Sequence, residues 1–249
     1  MKLKIKQKYI ILLFIILLFT TIMILNTKIF SQEDIINILK NNPDYNISIS
    51  FYPYYLNNNT KKLKYLYGMV DILNTIGDTN NMVSIKLSWF KDSCSNINFN
   101  LLEKFIEYSN DKKIKICISA YLRKYRNEEI DIYFKLFNKG YKNVIITLAT
   151  YHHDVDSKVD LILKNNGTIR LVKGWWNDGT EKNWNKGTEN YYRNANKLVE
   201  TGGFHILATH DFKLLKRLYD KNTKRQMDNL LIAFYYFNKK YVKKQVELF

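Results

Sequence analysis

The chain is poor in the residues that break or staple a fold. Two prolines and nine glycines in 249 residues exclude collagen-like and Pro/Gly-rich low-complexity readings. Two cysteines, Cys94 and Cys117, exclude a disulfide-dense scaffold and leave the redox compartment open. Acids are scarce as well: 23 Asp and Glu stand against 39 Lys and Arg, a net charge of +16. A basic domain invites a nucleic-acid reading. Here the lysines are scattered, as at Lys61-Lys62, Lys112-Lys113, Lys142 and Lys239-Lys240, and no base-reading element accompanies them. The surplus of Lys, Asn, Ile and Tyr fits a compositional bias, so no nucleic-acid partner is expected. What is left is a globular balance, 46% hydrophobic and 25% charged, sufficient to bury a sizeable core.

Residues 1–30 carry five lysines and no acid. Lys2, Lys4, Lys6 and Lys8 precede an uncharged, almost wholly apolar run of 17 residues from Tyr9 to Leu25. That run is at the short end for a spanning helix and longer than most signal-peptide cores. No small-residue cleavage pattern follows in Asn26-Thr27-Lys28-Ile29-Phe30. The expectation is an uncleaved, single-pass signal anchor over residues 1–30. The lysines would stay cytoplasmic and residues 31–249 would form an extracytoplasmic domain. Signal cleavage and secretion is the alternative.

From Ser31 onward, short β-branched runs alternate with amphipathic helical runs. Ser31 and Asp34 open a helix to about Lys40 with a capping-box spacing. Strands are predicted at Ile47–Tyr52, Met82–Ser88, Ile114–Ala120, Asn143–Leu148, Thr168–Val172, Phe204–Ala208 and Asn229–Tyr235. Helical runs between them stop at Gly77, Gly140 and Gly167, and Asp211 is placed to cap another. Such alternation implies a parallel sheet. Periodicity alone does not choose between a doubly wound sheet and a (β/α)8 barrel. Both put chemistry at the C-terminal strand ends.

Polar residues gather at those ends. The second predicted strand carries Lys86, and the third ends at Ser119-Ala120-Tyr121. Tyr151-His152-His153-Asp154 follows the fourth, and Thr209-His210-Asp211 the sixth. The fifth carries Arg170 and Lys173, two cations costly to bury without anionic partners. Their odd spacing puts them on opposite faces, or one beyond the strand. A surface ion pair accounts for them structurally, and a phosphate, flavin or carboxylate ligand accounts for them functionally. Trp175, Trp176 and Trp184 in the following loop can cover a planar ligand or pack over a barrel mouth.

Arg170-Leu171-Val172-Lys173-Gly174, followed by two aromatics, resembles the R-L-V-K-G-A-Y-W motif of the proline dehydrogenase family. Ala208-Thr209-His210-Asp211 resembles its A-T-H-N, and Ile85-Lys86-Leu87-Ser88 its I-K-L-S. Leu148-Ala149-Thr150-Tyr151 stands where the family has L-Q-A-Y, and Thr188-Glu189 with Tyr192 resembles its T-D-x-x-Y. These motifs keep their order across roughly residues 45–237.

The resemblance implies a (β/α)8 barrel holding FAD. In the family, FAD takes a hydride from proline and passes the electrons to a membrane quinone. It implies flavin contacts from Arg170, Lys173, Gly174, Trp176, Thr209 and His210. It also implies a catalytic, substrate-facing Lys86, with Tyr151, Lys243 and Lys244 on the substrate side. A lysine there stabilises charge that develops on hydride transfer.

The sequence departs from the family at Ser119, where the family has an acid, at Ala149 for its Gln, and at Asp211 for its Asn. After the strand at Asn229–Tyr235 no eighth strand is visible. Lys243 and Lys244, with Tyr241, only faintly match the family's Tyr/Arg-Arg helix, and lysines do not reproduce a bidentate arginine clamp. The expected fold is therefore a (β/α)8-type barrel, complete or short of its last strand, preceded by a transmembrane helix. Two other readings stand beside the enzyme. One is a membrane-anchored, non-catalytic barrel. The other is a metal-dependent hydrolase using His152, His153, His210 and Lys173, which needs ligands converging on one point.

Overall fold

A computed structural model describes residues 9–14, 45–50, 59–76, 81–92, 96–119, 126–174, 184–227 and 230–235. Eight parallel strands close into a barrel in chain order. They are β1 (Tyr9–Phe14), β2 (Tyr45–Ser50), β3 (Met82–Ile85), β4 (Lys115–Ile118), β5 (Val144–Ala149), β6 (Ile169–Val172), β7 (His205–Ala208) and β8 (Leu230–Tyr235). The helices are α1 (Asn59–Ile76), α2 (Phe99–Asp111), α3 (Arg126–Asn138), α4 (Val155–Lys164), α5 (Trp184–Thr201), α6 (Phe212–Lys221) and the short α7 (Lys224–Met227). A 3-10 turn, Leu87–Phe90, follows β3.

The N-terminus corrects the sequence reading. Six residues of the expected membrane span, Tyr9–Phe14, form β1. β1 pairs with β2 from Tyr9↔Tyr45 to Phe14↔Ser50, and with β8 from Ile10↔Ala233 to Leu12↔Tyr235. A strand of a parallel barrel is covered on both faces and so reads as a continuous apolar run, as a spanning helix does. The eighth strand that seemed missing from the C-terminal end is supplied from the N-terminal one. No helix among the described residues is long and apolar enough to cross a membrane. The expected helix at Ser31–Lys40 and the last helical run lie outside the described residues.

Alternation along the strands builds two cores. Outward residues such as Val83, Ile85, Ile116, Ile146, Leu148, Leu171 and Leu207 pack with buried Leu66, Val70 and Leu73 of α1 and Phe105 and Ile106 of α2. Inward residues Met82, Cys117, Ile145, Ile206, Leu231 and Ala233 form a smaller cluster that fills the lumen, with Phe204 and Ala208 against it. The predicted strand at Met82–Ser88 ends early. Beyond Lys86 the chain turns into 3-10 geometry, with Trp89 N–H donating to the Lys86 carbonyl at 3.0 Å, and buries Leu87, Trp89 and Phe90.

At the outer side of β7, His205 ties two elements. Its Nδ1 accepts from the Ile169 N–H at 3.2 Å and its Nε2 donates to the Gly202 carbonyl at 3.0 Å, which defines a neutral imidazole. Burial lowers its pKa below the ordinary 6.5, outweighing the opposing effect of the Gly202 bond. A base with a lowered folded pKa binds fewer protons folded than unfolded, so its contribution is full above 6.5 and lost as pH falls below it. The urea midpoint is therefore expected to drop between pH 7.5 and 5.5. A His205→Gln variant is expected to be less stable at pH 7.5 but to show a flatter profile. Equal pH slopes for the two proteins would remove His205 from the account.

Candidate functional site

Arg170 is the centre of the lumen. It is the second residue of β6, in register with Thr147 of β5 and Ile206 of β7, and only 2% exposed. Its Nη1 donates to Ser84 Oγ on β3 at 3.1 Å and to Cys117 Sγ on β4 at 3.7 Å. Cys117 Sγ in turn lies 3.2 Å from Thr147 Oγ1. The guanidinium thus crosses the barrel interior and is held by small polar groups from β3 and β4, with Thr147 of β5 behind Cys117. None of the eight strands carries an Asp or Glu.

Lys86 stands one inward step above Ser84. Its backbone is still extended, so it keeps the inward parity of Met82 and Ser84. It is buried, and burial pushes its pKa down to about 8. The cause is loss of hydration of the charged form. Arg170 and Lys173, ambiguous by spacing, separate as one inward residue and one beyond the strand end.

Lys173 is buried and pairs with Asp211: Nζ donates to Oδ2 at 3.2 Å. Asp211 also caps α6, its Oδ1 accepting from the Leu214 N–H at 3.1 Å. Its own N–H donates to Thr209 Oγ1 at 3.1 Å. His210 lies between them, its pKa lowered by burial. Tyr191 of α5 is wholly buried, and burial together with the nearby Asp211 charge holds its hydroxyl well above its ordinary range.

Gly174 follows Lys173 with φ +80, a left-handed conformation that favours glycine. A Cβ there would come within 3.0 Å of the Ala149 Cβ. Gly174 is thus packed closely against Ala149 and Tyr151, where a side chain would not fit. Thr150 fastens this edge: the single proton on its Oγ1 is shared between the carbonyls of Lys173 at 3.1 Å and Gly187 at 3.2 Å. Asn190 Nδ2 donates to the Thr150 carbonyl at 3.3 Å. The ring of Tyr151 packs against Gly187, where a Cβ would sit 3.0 Å from it, and burial raises the tyrosine pKa.

Lys86, Arg170, Lys173, Gly174, Tyr151, Thr209 and His210 therefore all lie at, or one step below, the C-terminal rim of β3, β5, β6 and β7. Trp176, Lys243 and Lys244 lie outside the described residues. Ser84, Cys117, Thr147 and Thr150 were not singled out from sequence. Their signal was period-two alternation: Ser84 stands two before Lys86, Cys117 two before Ser119, and Thr147 two before Ala149. The metal reading finds no geometry. His152 is buried and its neighbour His153 exposed, and no three His, Cys, Asp or Glu side chains among the described residues are placed to hold an ion.

The donor set suits a group with phosphates and a ring that gains negative charge: buried Lys86 and Arg170, buried Lys173 with its partner Asp211, a threonine hydroxyl and no strand carboxylate. Comparison with known proteins agrees with the motifs. No family model matches the chain. Proline dehydrogenase 2 of Bacillus subtilis (strain 168) is 26% identical over 152 residues, 59% of this chain and 50% of the relative. The chain thus spans half the length of the curated relatives it matches. In fold it is similar to proline utilization A from Bdellovibrio bacteriovorus inactivated by N-propargylglycine, with a TM-score of 0.75 at 16% identity, covering 87% of this chain and 28% of that one. A mutant proline utilization A from Bradyrhizobium japonicum gives a TM-score of 0.62 at 13% identity, over 76% of this chain and 23% of the other. Sequence likeness and fold likeness thus support the resemblance to a divergent proline dehydrogenase.

Proposed function

We propose that this divergent relative of the proline dehydrogenases is an FAD-dependent oxidoreductase. Its substrate is proline or a related amino or imino acid, and its electrons pass to a membrane quinone. The observation that carries the reading is Arg170, a guanidinium held across the lumen one step below buried Lys86, in a barrel whose strands bear no acid.

FAD, when bound, supplies the hydride acceptor. Arg170, Lys173, Gly174, Trp176, Thr209 and His210 are the residues assigned to hold it. A preorganised cation in a water-poor site stabilises developing negative charge without reorganising at the moment of reaction. Arg170 fills that role, because Ser84 and Cys117 fix its guanidinium beforehand. Lys86, with a pKa of about 8, is mostly an ammonium at neutral pH and pairs with a substrate carboxylate. Tyr151 walls the substrate side and excludes water. Lys243 and Lys244 are assigned to the same carboxylate.

Quinone as electron acceptor puts the chain at a membrane. In this reading, that hand-over brings the chain to the membrane surface. The test is the absorbance spectrum of the purified full chain with and without added FAD, then with proline. A flavin spectrum bleached by proline is the expected result. A chain that takes no FAD on reconstitution is the non-catalytic barrel. A flavin that proline leaves oxidised overturns the substrate alone.

A further inference from the structure

We propose that Asp211 sets how strongly this mouth takes a phosphate group, because its carboxylate already occupies the Lys173 ammonium and a phosphate-bearing ligand must compete with it. The proposal deepens the flavin reading and rests on it. Three observations carry it.

The first is the pair itself. Nζ of Lys173 and Oδ2 of Asp211 are 3.2 Å apart, with the side chains 10% and 29% exposed. A pair this sheltered from water is weakly screened. The second is that the carboxylate is pinned. Oδ1 caps α6 through the Leu214 N–H, and the Asp211 N–H is held by Thr209 Oγ1. Turning the carboxylate away from Lys173 uncaps the helix. It therefore stays beside the ammonium when a ligand arrives, and an incoming anion meets a cation already neutralised. The third is chemical. The A-T-H-N motif that Ala208-Thr209-His210-Asp211 resembles carries an amide at this position, which can cap a helix equally well but brings no charge. The substitution preserves the cap and changes the electrostatics alone.

Asp211 is thus a positioning and specificity residue rather than a catalytic one. It disfavours ligands that rely on Lys173 for a phosphate and leaves untouched those that present only a ring.

The experiment uses the full chain, wild type and Asp211→Asn, titrated by flavin fluorescence with FAD and with riboflavin, which lacks the phosphates. Asp211→Asn is expected to bind FAD about three- to tenfold more tightly, the worth of a partly buried charge pair, with riboflavin affinity unchanged. In a Lys173→Gln background the same substitution is expected to have no effect on FAD. FAD affinity that is unchanged or weaker in Asp211→Asn, relative to riboflavin, overturns the proposal. Should Asp211→Asn fold poorly, Asp211→Ser keeps a capping oxygen without the charge and answers the same question. The two readings fail separately. Equal FAD binding by wild type and variant sinks the role of Asp211 and leaves the flavoprotein standing. FAD binding by the variant alone supports the role of Asp211 and overturns the wild-type chain as a working flavoprotein. No binding by either overturns both.

Discussion

A chain lacking residues 1–30 is expected to lose cooperative folding. If the apolar run were a membrane anchor, its removal would leave an intact domain with a sharp melting transition. In the barrel it removes β1, and with it the pairings of Tyr9–Phe14 to β2 and of Ile10–Leu12 to β8. Two strand edges then lie open in a barrel that otherwise has none, which favours aggregation. The lumen cluster, which includes Leu231 and Ala233 of β8, also loses the neighbouring wall. Circular dichroism and gel filtration distinguish the cases: a broad, non-cooperative melt and association against a monomer with a defined Tm. Leu12→Pro in the full chain is a milder version. Leu12 pairs with both Ser48 and Tyr235, and proline there removes a ladder donor and leaves its acceptor unsatisfied, at a cost of about 1–3 kcal/mol. A truncated chain that melts sharply as a monomer would falsify the place of β1 in the fold.

Arg170→Met is expected to weaken FAD binding by about 10- to 100-fold, the worth of one or two hydrogen bonds from a charged donor, and to leave the protein folded. Methionine approximates the volume of arginine and adapts to irregular space. Its stability consequence is small because two effects oppose. Ser84 loses a partner at about 1 kcal/mol, while removing a buried charge from an interior is often neutral or stabilising. Titration with FAD and a thermal melt therefore separate function from structure. Loss of flavin with a near-wild-type Tm supports Arg170 as a ligand for the cofactor. Loss of both together means that the guanidinium is a structural bridge across the lumen. Retained flavin with retained Tm removes it from the site.

Much of the fold was legible because helices and strands differ in period. The strands from β2 to β8 were found within a few residues, and the Asp211 cap on α6 was predicted from its residue type. The strand-end cations were also legible, since a parallel barrel puts its polar residues at the C-terminal ends. Three things were not. Tyr9–Phe14 read as part of a spanning helix, because a buried parallel strand and a membrane segment are both continuous apolar runs. Alternation marked Ser84 and Cys117 as inward residues but not as partners of Arg170, because only the register of β3, β4 and β6 brings the three together in the lumen. The Lys173–Asp211 pair joins residues 38 apart in sequence, and only the adjacency of β6 and β7 brings them together.

Composition and pattern alone determined an acid-poor, basic chain of alternating strands and helices, with cations at strand ends and a family resemblance carried by short motifs. Tertiary structure decided which cation lies inside the barrel, which is neutralised by a neighbour, and where the eighth strand comes from. Periodicity is a local property written along the chain. Closure, register and charge pairing depend on which distant segments become neighbours, and no local pattern encodes that.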